Sequence, residues 1–123
     1  METKKINLLK YRGNESSLFT GRPQGEAARA DLNLNKNDKE KKTIAFIIPK
    51  ETTSFNPSFY LGLLFESIKY FGFEEFEKYY TFEIADEDPE IRKVLQTNLD
   101  DGKRNALNTI MGKTGLGRFI NKK

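Results

Sequence analysis

The 123-residue chain contains neither cysteine nor histidine. Without cysteine no disulfide can form and no thiol chemistry is possible. Without histidine the chain lacks the commonest general base and the commonest metal ligand, and a Ser-His-Asp triad is excluded. No apolar run approaches the length of about 20 residues that spans a bilayer, and no signal-peptide segment follows Met1. These absences favour a cytoplasmic protein without membrane association, and no cofactor or metal is predicted.

Charge is plentiful but unevenly distributed. Charged residues make up 32% of the chain, with a net charge of only +3. Acidic residues dominate between Phe73 and Asp101, whereas the residues after Gly102 carry only basic charges. Two interpretations stay open: a basic tail that binds nucleic acid, or cations at a solvated helix end. The length predicts one domain over residues 1–111, followed by a flexible basic tail over 112–123.

The most structured pattern lies in Thr43–Gly72. Thr43–Ile48 is a short β-branched and aromatic run that predicts a buried strand. Lys50–Pro57 has the composition of a polar loop, and Ser58–Phe71 has an apolar run too long for a strand. Gly72 suits the position after a helix end. The stretch therefore predicts a strand, a loop and an apolar helix.

The remaining segments alternate between strand and helix patterns. Strands are predicted over Lys4–Tyr11, Ser17–Thr20 and Glu77–Ile84, helices over Pro23–Leu32 and from Pro89 with Asp88 as its cap, and an exposed mobile loop over Asn33–Lys42. The expected buried stripe of the last helix consists of Ile91, Val94, Leu95 and Leu99. Two interpretations stay open beyond it: Gly102 interrupts the helix, or Leu107, Ile110 and Met111 continue the stripe. This alternation predicts an α/β domain, a single small sheet with about three helices packed on it.

The helix Ser58–Phe71 has a narrow polar stripe. The stripe consists of Ser58, Gly62, Glu66 and Lys69; Tyr60, Leu64, Ile68 and Phe71 point the opposite way; Phe59, Leu61, Leu63 and Phe65 lie on the flanks. Neighbouring elements of the same chain can cover these flanks. Alternatively, the flanks form an exposed apolar rim that marks a partner site.

Two stretches carry a resemblance to a known family. The segment Phe19–Arg29 resembles the entry to the first helix of STAS-like domains of the uncharacterised type, with Arg22, Gly25 and Arg29 at matching places. Thr43–Gly72 is similar to the strand, loop and Ser-Phe-led helix of that family, the pair being Ser54-Phe55 or Ser58-Phe59. The similarity extends over about Ile6–Asn108.

The resemblance implies an STAS-like fold and a regulatory role. STAS domains include anti-sigma-factor antagonists, which have no catalytic activity and bind a kinase-like ATPase. They are switched by phosphorylation of a serine at the start of the helix after the central strand. The antagonists carry Asp-Ser-Ser-Gly there, whereas this chain has Asn56, Pro57, Ser58 and Phe59. The acid and the glycine of the family's motif are therefore absent from this chain.

Ser58 itself has two interpretations. It can cap the helix or occupy its first turn, in competition with Asn56, with a contribution on the order of 1 kcal/mol. It can also accept a phosphate, which would lie at the positive end of the helix dipole.

Arg22, Gly25 and Arg29 likewise have two interpretations. The two arginines are seven residues apart, and a glycine near a helix N-terminus lets an anion approach closely, so the three can bind a small anion or nucleotide. Alternatively, Gly25 permits close packing and the arginines pair with acids such as Glu26 or Asp31.

We therefore expect a non-enzymatic regulatory or protein-interaction module. It is predicted to present the loop and the start of the helix to a partner, either a kinase-like ATPase or a second copy of itself. The predicted partner-binding residues are Ser54, Phe55, Asn56, Ser58, Phe59, Gly62, Phe65 and Glu66. Two alternatives stay open: a nucleic-acid-binding accessory protein that uses the tail and Lys36–Lys42, and an anion or nucleotide binder that uses Arg22 and Arg29.

Overall fold

A computed structural model of the chain describes residues 3–12 and 16–114. The elements are β1 (Lys4–Asn7), α1 (Leu9–Arg12), β2 (Leu18–Phe19), α2 (Arg22–Asp31), α3 (Leu34–Glu40), β3 (Ile44–Ile48), β4 (Ser54–Phe55), α4 (Pro57–Phe71), α5 (Phe73–Tyr79), β5 (Tyr80–Ile84) and α6 (Pro89–Thr114). The predicted α/β class is confirmed. The part of the predicted tail that follows Thr114 lies outside the described residues.

Every strand pairing is parallel. Three strands form a sheet in the order β1-β3-β5, and β2 pairs with β4 in a second, two-stranded sheet. Ile6, Phe46 and Phe82 share one register position across the three-stranded sheet. Since parallel neighbours need crossover connections, the helices between the strands follow from this topology.

The two faces of the three-stranded sheet differ in polarity. Ile44, Phe46 and Ile48 of β3 are buried on the face that packs into the core. On the opposite face Lys5 and Glu83 form an ion pair of 3.4 Å between β1 and β5. The helices therefore pack on the face of Phe46, and the Lys5–Glu83 ion pair lies on the opposite face.

Helix α4 is the most deeply buried helix of the described chain. It begins at Pro57, which needs no N–H partner there, and Gly72, with φ 82°, follows its last residue. Tyr60, Leu64 and Ile68 have no exposed surface. The strand, loop and helix predicted over Thr43–Gly72 are confirmed, with the short strand β4 added inside the loop.

Helices α2 and α4 cross at two glycines. A Cβ built on Gly25 lies 2.2 Å from the carbonyl oxygen of Phe59, and one built on Gly62 lies 2.2 Å from the carbonyl oxygen of Arg22. Only residues without a side chain fit at this separation. Gly62 is therefore a buried packing residue and not part of the predicted polar stripe.

The prediction of a mobile loop over Asn33–Lys42 is wrong, because this segment contains helix α3. Asn33 and Lys41, at φ 56° and 55°, flank the helix with left-handed backbone conformations. Leu34 and Asp38 are buried, so tertiary contacts outweigh the polar composition of the segment.

Three other boundaries differ from the predictions. The first strand ends at Asn7, whose side-chain oxygen accepts a hydrogen bond of 2.8 Å from the Leu9 N–H and starts a turn into α1. The first residues of the strand predicted over Glu77–Ile84 belong to α5. Helix α6 runs through Gly102 without interruption, and Val94 is 45% exposed instead of buried.

Candidate functional site

The site predicted at the start of α4 is held by backbone hydrogen bonds from neighbouring elements. The Asn56 N–H donates to the carbonyl oxygen of Phe19 at 2.9 Å. The Phe55 N–H donates to the side-chain oxygen of Asn98, on α6, at 2.8 Å. We call residues 54–58 the β4–α4 junction. Contacts to β2 and α6 fix its position from both sides.

An aromatic cluster in the core packs against the inner side of the junction. The rings of Phe19, Phe55 and Phe59 have centroid separations of 5.0, 5.1 and 5.2 Å in tilted or edge-to-face arrangements. None of the three side chains has exposed surface. Such pairs add stability beyond area burial, so the junction is attached to the core on its inner side.

The outer side of the junction is polar. Asn56 caps α4, its side-chain oxygen accepting a hydrogen bond of 2.7 Å from the Ser58 N–H. Ser58 is exposed in the first turn of the helix, and Ser54 and Asn56 are half-buried. Asn56 is therefore the cap, and the Ser58 hydroxyl lies on the surface at the positive end of the helix dipole.

The interpretation of the flanks of α4 as an exposed apolar rim is wrong. The alternative, that neighbouring elements of the same chain cover these flanks, is confirmed. Phe59 and Leu63 are 0% exposed and Phe65 is 1% exposed. The Arg22 guanidinium covers the Phe65 ring at 5.2 Å from the centroid. The predicted partner residues Phe55, Phe59, Gly62 and Phe65 therefore present no surface to a rigid partner.

Glu66 lies apart from the junction. It is exposed and pairs with Lys69 at 3.6 Å. Eight residues of helix, about 12 Å of rise, separate it from Ser58. The structure thus brings together Ser54, Asn56 and Ser58, and separates Glu66 from them.

Arg29 is a structural residue and not an anion ligand. Its guanidinium donates to the side-chain oxygen of Asn35 at 3.1 and 2.8 Å, to the Leu63 carbonyl oxygen at 3.0 Å, to the Ser67 hydroxyl at 2.8 Å and to Asp38 at 2.8 Å. These bonds use all five N–H donors of the group. The side chain is 8% exposed, so no donor is left for a ligand.

The other two residues of the predicted anion site are also occupied. Arg22 pairs with Glu26 at 3.6 Å, as the packing alternative expected. Gly25 is closed off by the backbone of α4. The three residues therefore stabilise the α2–α4 contact instead of forming an anion pocket.

A buried polar network around Asp38 was missed by the sequence analysis. The Ser67 hydroxyl donates to Asp38 at 2.8 Å, and the Tyr80 hydroxyl donates to the same carboxylate. Burial, and then the hydrogen bond to Asp38, raise the pKa of Tyr80 to about 12. The available signal was Ser67, a hydroxyl between the apolar residues of α4, because a buried polar group needs a partner.

The segment proposed to bind nucleic acid, Lys36–Lys42, spans most of α3 and the turn after it. Glu40 forms ion pairs with Lys36 at 3.9 Å and with Lys42 at 3.2 Å. A groove of about 520 Å³ beside it is lined by Lys4, Lys36 and Lys42 among others. Two acids, Asp31 and Glu40, also line this groove, so its lysines exceed its acids by one.

The chain was also compared with known proteins. No family model matches it, and no curated protein or solved structure is significantly similar to it. Among residues 3–12 and 16–114, no cluster of acidic side chains has the arrangement of a metal site. Over the same residues, no helix combines the length and apolarity that crossing a bilayer requires.

Proposed function

We propose that the chain is a non-enzymatic protein-interaction module that presents the β4–α4 junction to a partner. The observation that carries this is the exposed Ser58 on a junction fixed by Asn98, by the Phe19 carbonyl and by three packed aromatic rings. A surface held in one conformation loses little entropy on binding. A polar, rigid and exposed turn is therefore suited to recognition.

The position of the junction also supports binding. It follows β4 directly, at the carboxyl end of a parallel strand, where open α/β sheets commonly bind ligands. The partner class, a kinase-like ATPase or a second copy of the chain, comes from the STAS-like resemblance alone. A phosphate on Ser58 would add charge at the helix N-terminus and change this surface without unfolding it.

The test begins with retention of host proteins on the immobilised chain, followed by titration of each purified candidate. Ser58→Glu is expected to change the affinity at least tenfold, about 1.4 kcal/mol, because it adds charge at the exposed end of the junction. Thr97→Glu adds the same charge on the exposed surface of α6 and serves as the control. Equal affinities for the wild-type chain and Ser58→Glu would remove the junction from the interface.

A second candidate function is nucleic-acid binding through α3. Lys4, Lys36 and Lys42, which line the groove beside α3 together with two acids, favour it. Binding through phosphate contacts weakens steeply with salt, whereas binding at the junction is expected to depend only weakly on salt. Titration of the chain with a 20-nucleotide single strand at 50 and 200 mM salt separates the two. Retention that is independent of salt argues against this candidate.

A further inference from the structure

The outer edge of β5 has free backbone groups. β5 is the last strand of the three-stranded sheet in the described chain. The Ala85 N–H donates to the carbonyl oxygen of Ile48 at 3.0 Å. In a parallel ladder the backbone N–H and C=O groups of every second residue point to the neighbouring strand, and those of the residues between point outward. By this alternation the N–H and C=O of Phe82 and the N–H of Ile84 point away from the sheet. A fourth strand can pair with these groups.

A groove runs beside this edge, between β5 and α6. One part, about 320 Å³, is lined by Tyr60, Phe76, Glu77, Tyr80, Thr81, Phe82, Gln96, Leu99 and Lys103. Three consecutive residues of β5, Tyr80 to Phe82, line this part of the groove. Because their side chains alternate between the two faces of the sheet, the groove borders the backbone edge of the strand. A second part, about 430 Å³, shares Gln96 and continues past Ile84 to Arg92 and Lys93. We call both parts together the β5–α6 groove.

Contacts at both ends fix the length and direction of the groove. Arg92 donates to the Ile84 carbonyl oxygen at 2.7 Å at one end. Lys103 pairs with Glu77 at 2.7 Å at the other. Helix α6 therefore runs opposite to β5, and residues 92–103 span about 16 Å. An extended segment of about five residues has the same length.

The chemistry of the groove defines its occupant. Phe76 and Leu99 lie beneath the groove at 1% and 3% exposed, and the half-buried ring of Phe82 supplies its apolar surface. Lys93 lines the second part of the groove beside Arg92, is exposed, and has no ion-pair partner among the described residues. Among these residues, Glu87 is the only acid that lines this part. An apolar side chain against Phe82 and an acidic one near Lys93 complement these properties.

An unsatisfied polar atom also lies beneath the first part of the groove. Among the described side chains, the Tyr60 hydroxyl is one of two buried groups without a hydrogen-bond partner, and Tyr60 itself is 0% exposed. Buried polar groups are normally paired. Because Tyr60 lines this part of the groove, a polar atom of a bound segment can supply the missing partner once the side chains that cover the hydroxyl move aside.

We propose that the β5–α6 groove binds an extended segment of a partner protein, which adds to the sheet as a fourth strand beside β5. The segment places an apolar side chain against Phe82 and an acidic side chain near Lys93. Main-chain hydrogen bonds supply affinity in strand addition, and alternate side-chain pockets supply specificity. This surface is separate from the β4–α4 junction and goes beyond the function proposed for it.

The probe is a library of random heptapeptides with blocked ends, selected against the whole chain. Enriched sequences are expected to combine apolar and acidic residues and to lack proline in the paired stretch. Each amide of the best peptide is then methylated in turn. In strand addition only alternate amides face β5, so methylation is expected to weaken binding at least tenfold at every second position. Uniform tolerance of methylation, or no enrichment at all, overturns the proposal.

Charge reversal locates the peptide on the protein. Lys93→Glu is expected to weaken binding of the acidic peptide at least tenfold. Arg104→Glu makes the same charge change on α6 outside the groove lining and is expected to change binding less than twofold. Ser58→Glu is expected to leave peptide binding unchanged, so failure of the junction and failure of the groove are distinguishable. Equal loss in the two α6 variants would mean non-specific attraction and overturn the proposal.

Amide hydrogen exchange distinguishes a partner segment from a second copy. The Phe82 and Ile84 amides are expected to exchange freely in the chain alone and to become protected when peptide is added. Protection of both amides without peptide, together with a dimer in solution, would assign the edge to a second copy and overturn the peptide proposal.

Discussion

Gly25 of α2 and Gly62 of α4 contact each other backbone to backbone. A Cβ on Gly62 would lie 2.9 Å from the Gly25 Cα and 2.2 Å from the Arg22 carbonyl oxygen. The close approach lets Arg29, one turn further along α2, reach the Leu63 carbonyl and Ser67 of α4. The two glycines therefore permit the buried polar network as well as the helix contact.

Gly62→Ala is expected to lower the free energy of unfolding by about 1–3 kcal/mol, because the added methyl overlaps backbone atoms that cannot move aside. Gly112→Ala is the matched control. Gly112 lies in α6, and a Cβ there meets nothing within 4 Å. Alanine favours helix over glycine, so this variant is expected to gain about 0.5–1 kcal/mol. Chemical denaturation measures both. Equal stability of Gly62→Ala and the wild-type chain would contradict the crossing described here.

Breaking the Arg29–Asp38 pair is expected to be costly. Asp38→Ala leaves a buried guanidinium without its carboxylate and is expected to lose about 3–5 kcal/mol. In the double variant Arg29→Met/Asp38→Ala neither charge is left unpaired, and it is expected to recover much of that loss relative to Asp38→Ala and Arg29→Met alone. The single variants, the double variant and the wild-type chain form a double-mutant cycle, measured by denaturation. Additive losses would show that the two side chains do not interact.

The stability of the fold is expected to fall at alkaline pH. Tyr80 has a pKa of about 12 in the folded chain, against an ordinary value of 10.0. The unfolded chain therefore loses this proton first, and the contribution of Tyr80 to stability is complete below pH 10 and disappears between pH 10 and about 12. In Tyr80→Phe the decline over this range is expected to be shallower.

Tyr70→Phe is the control for that titration, because Tyr70 is 54% exposed. The unfolding free energies of the wild-type chain, Tyr80→Phe and Tyr70→Phe are measured at pH 8, 10 and 11. A Tyr80→Phe curve parallel to that of the wild-type chain would show that the Tyr80 hydroxyl is not held by Asp38.

Two neighbouring residues of α4 are expected to respond in opposite ways to a negative charge. Phe59→Asp places a carboxylate in the aromatic cluster and is expected to unfold the domain. Ser58→Glu places one on the surface of the first helical turn and is expected to change stability by less than about 1 kcal/mol. Circular dichroism and thermal melting compare the two. A folded Phe59→Asp chain would restore the exposed rim that the structure excludes.

The sequence predicted best where local chemistry and tertiary packing agree. Asn56, Pro57 and Gly72 are local signals that set both ends of α4, and the apolar residues between them require burial in any fold. Asp88 and Pro89 set the start of α6 in the same way. At these places the local preference and the final structure coincide, so the pattern was sufficient.

Prediction failed where a distant partner decides the conformation. Asp38 stabilises α3 through Arg29, Ser67 and Tyr80, none of which is near it in sequence, and the polar segment gives no local sign of them. The sequence leaves open whether Gly102 interrupts α6. A Cβ there would lie 2.5 Å from the ring of Tyr60, so this glycine makes room for a side chain of α4 within a continuous helix.

The candidate site was predicted in part for the same reason. Ser54, Asn56 and Ser58 lie together because they are close in the chain. Phe65 was assigned to a binding surface because its position on α4 gives no sign of Arg22, which covers its ring. The β5–α6 groove had no signal at all, because it depends on which strand ends the sheet.

The parallel pairing of all strands has a consequence for the order of folding. Lys4 pairs with Ile44, and Ile44 with Tyr80, so roughly 40 residues separate the partners in each case and no two strands can form a hairpin. During synthesis β1 has no partner until β3 has left the ribosome, and β3 keeps an open edge until β5 follows. Helices α2 and α4 both leave the ribosome before β5, so they can pack through their glycines before the sheet is complete, and we expect β5 to add last, onto an assembled helical pair.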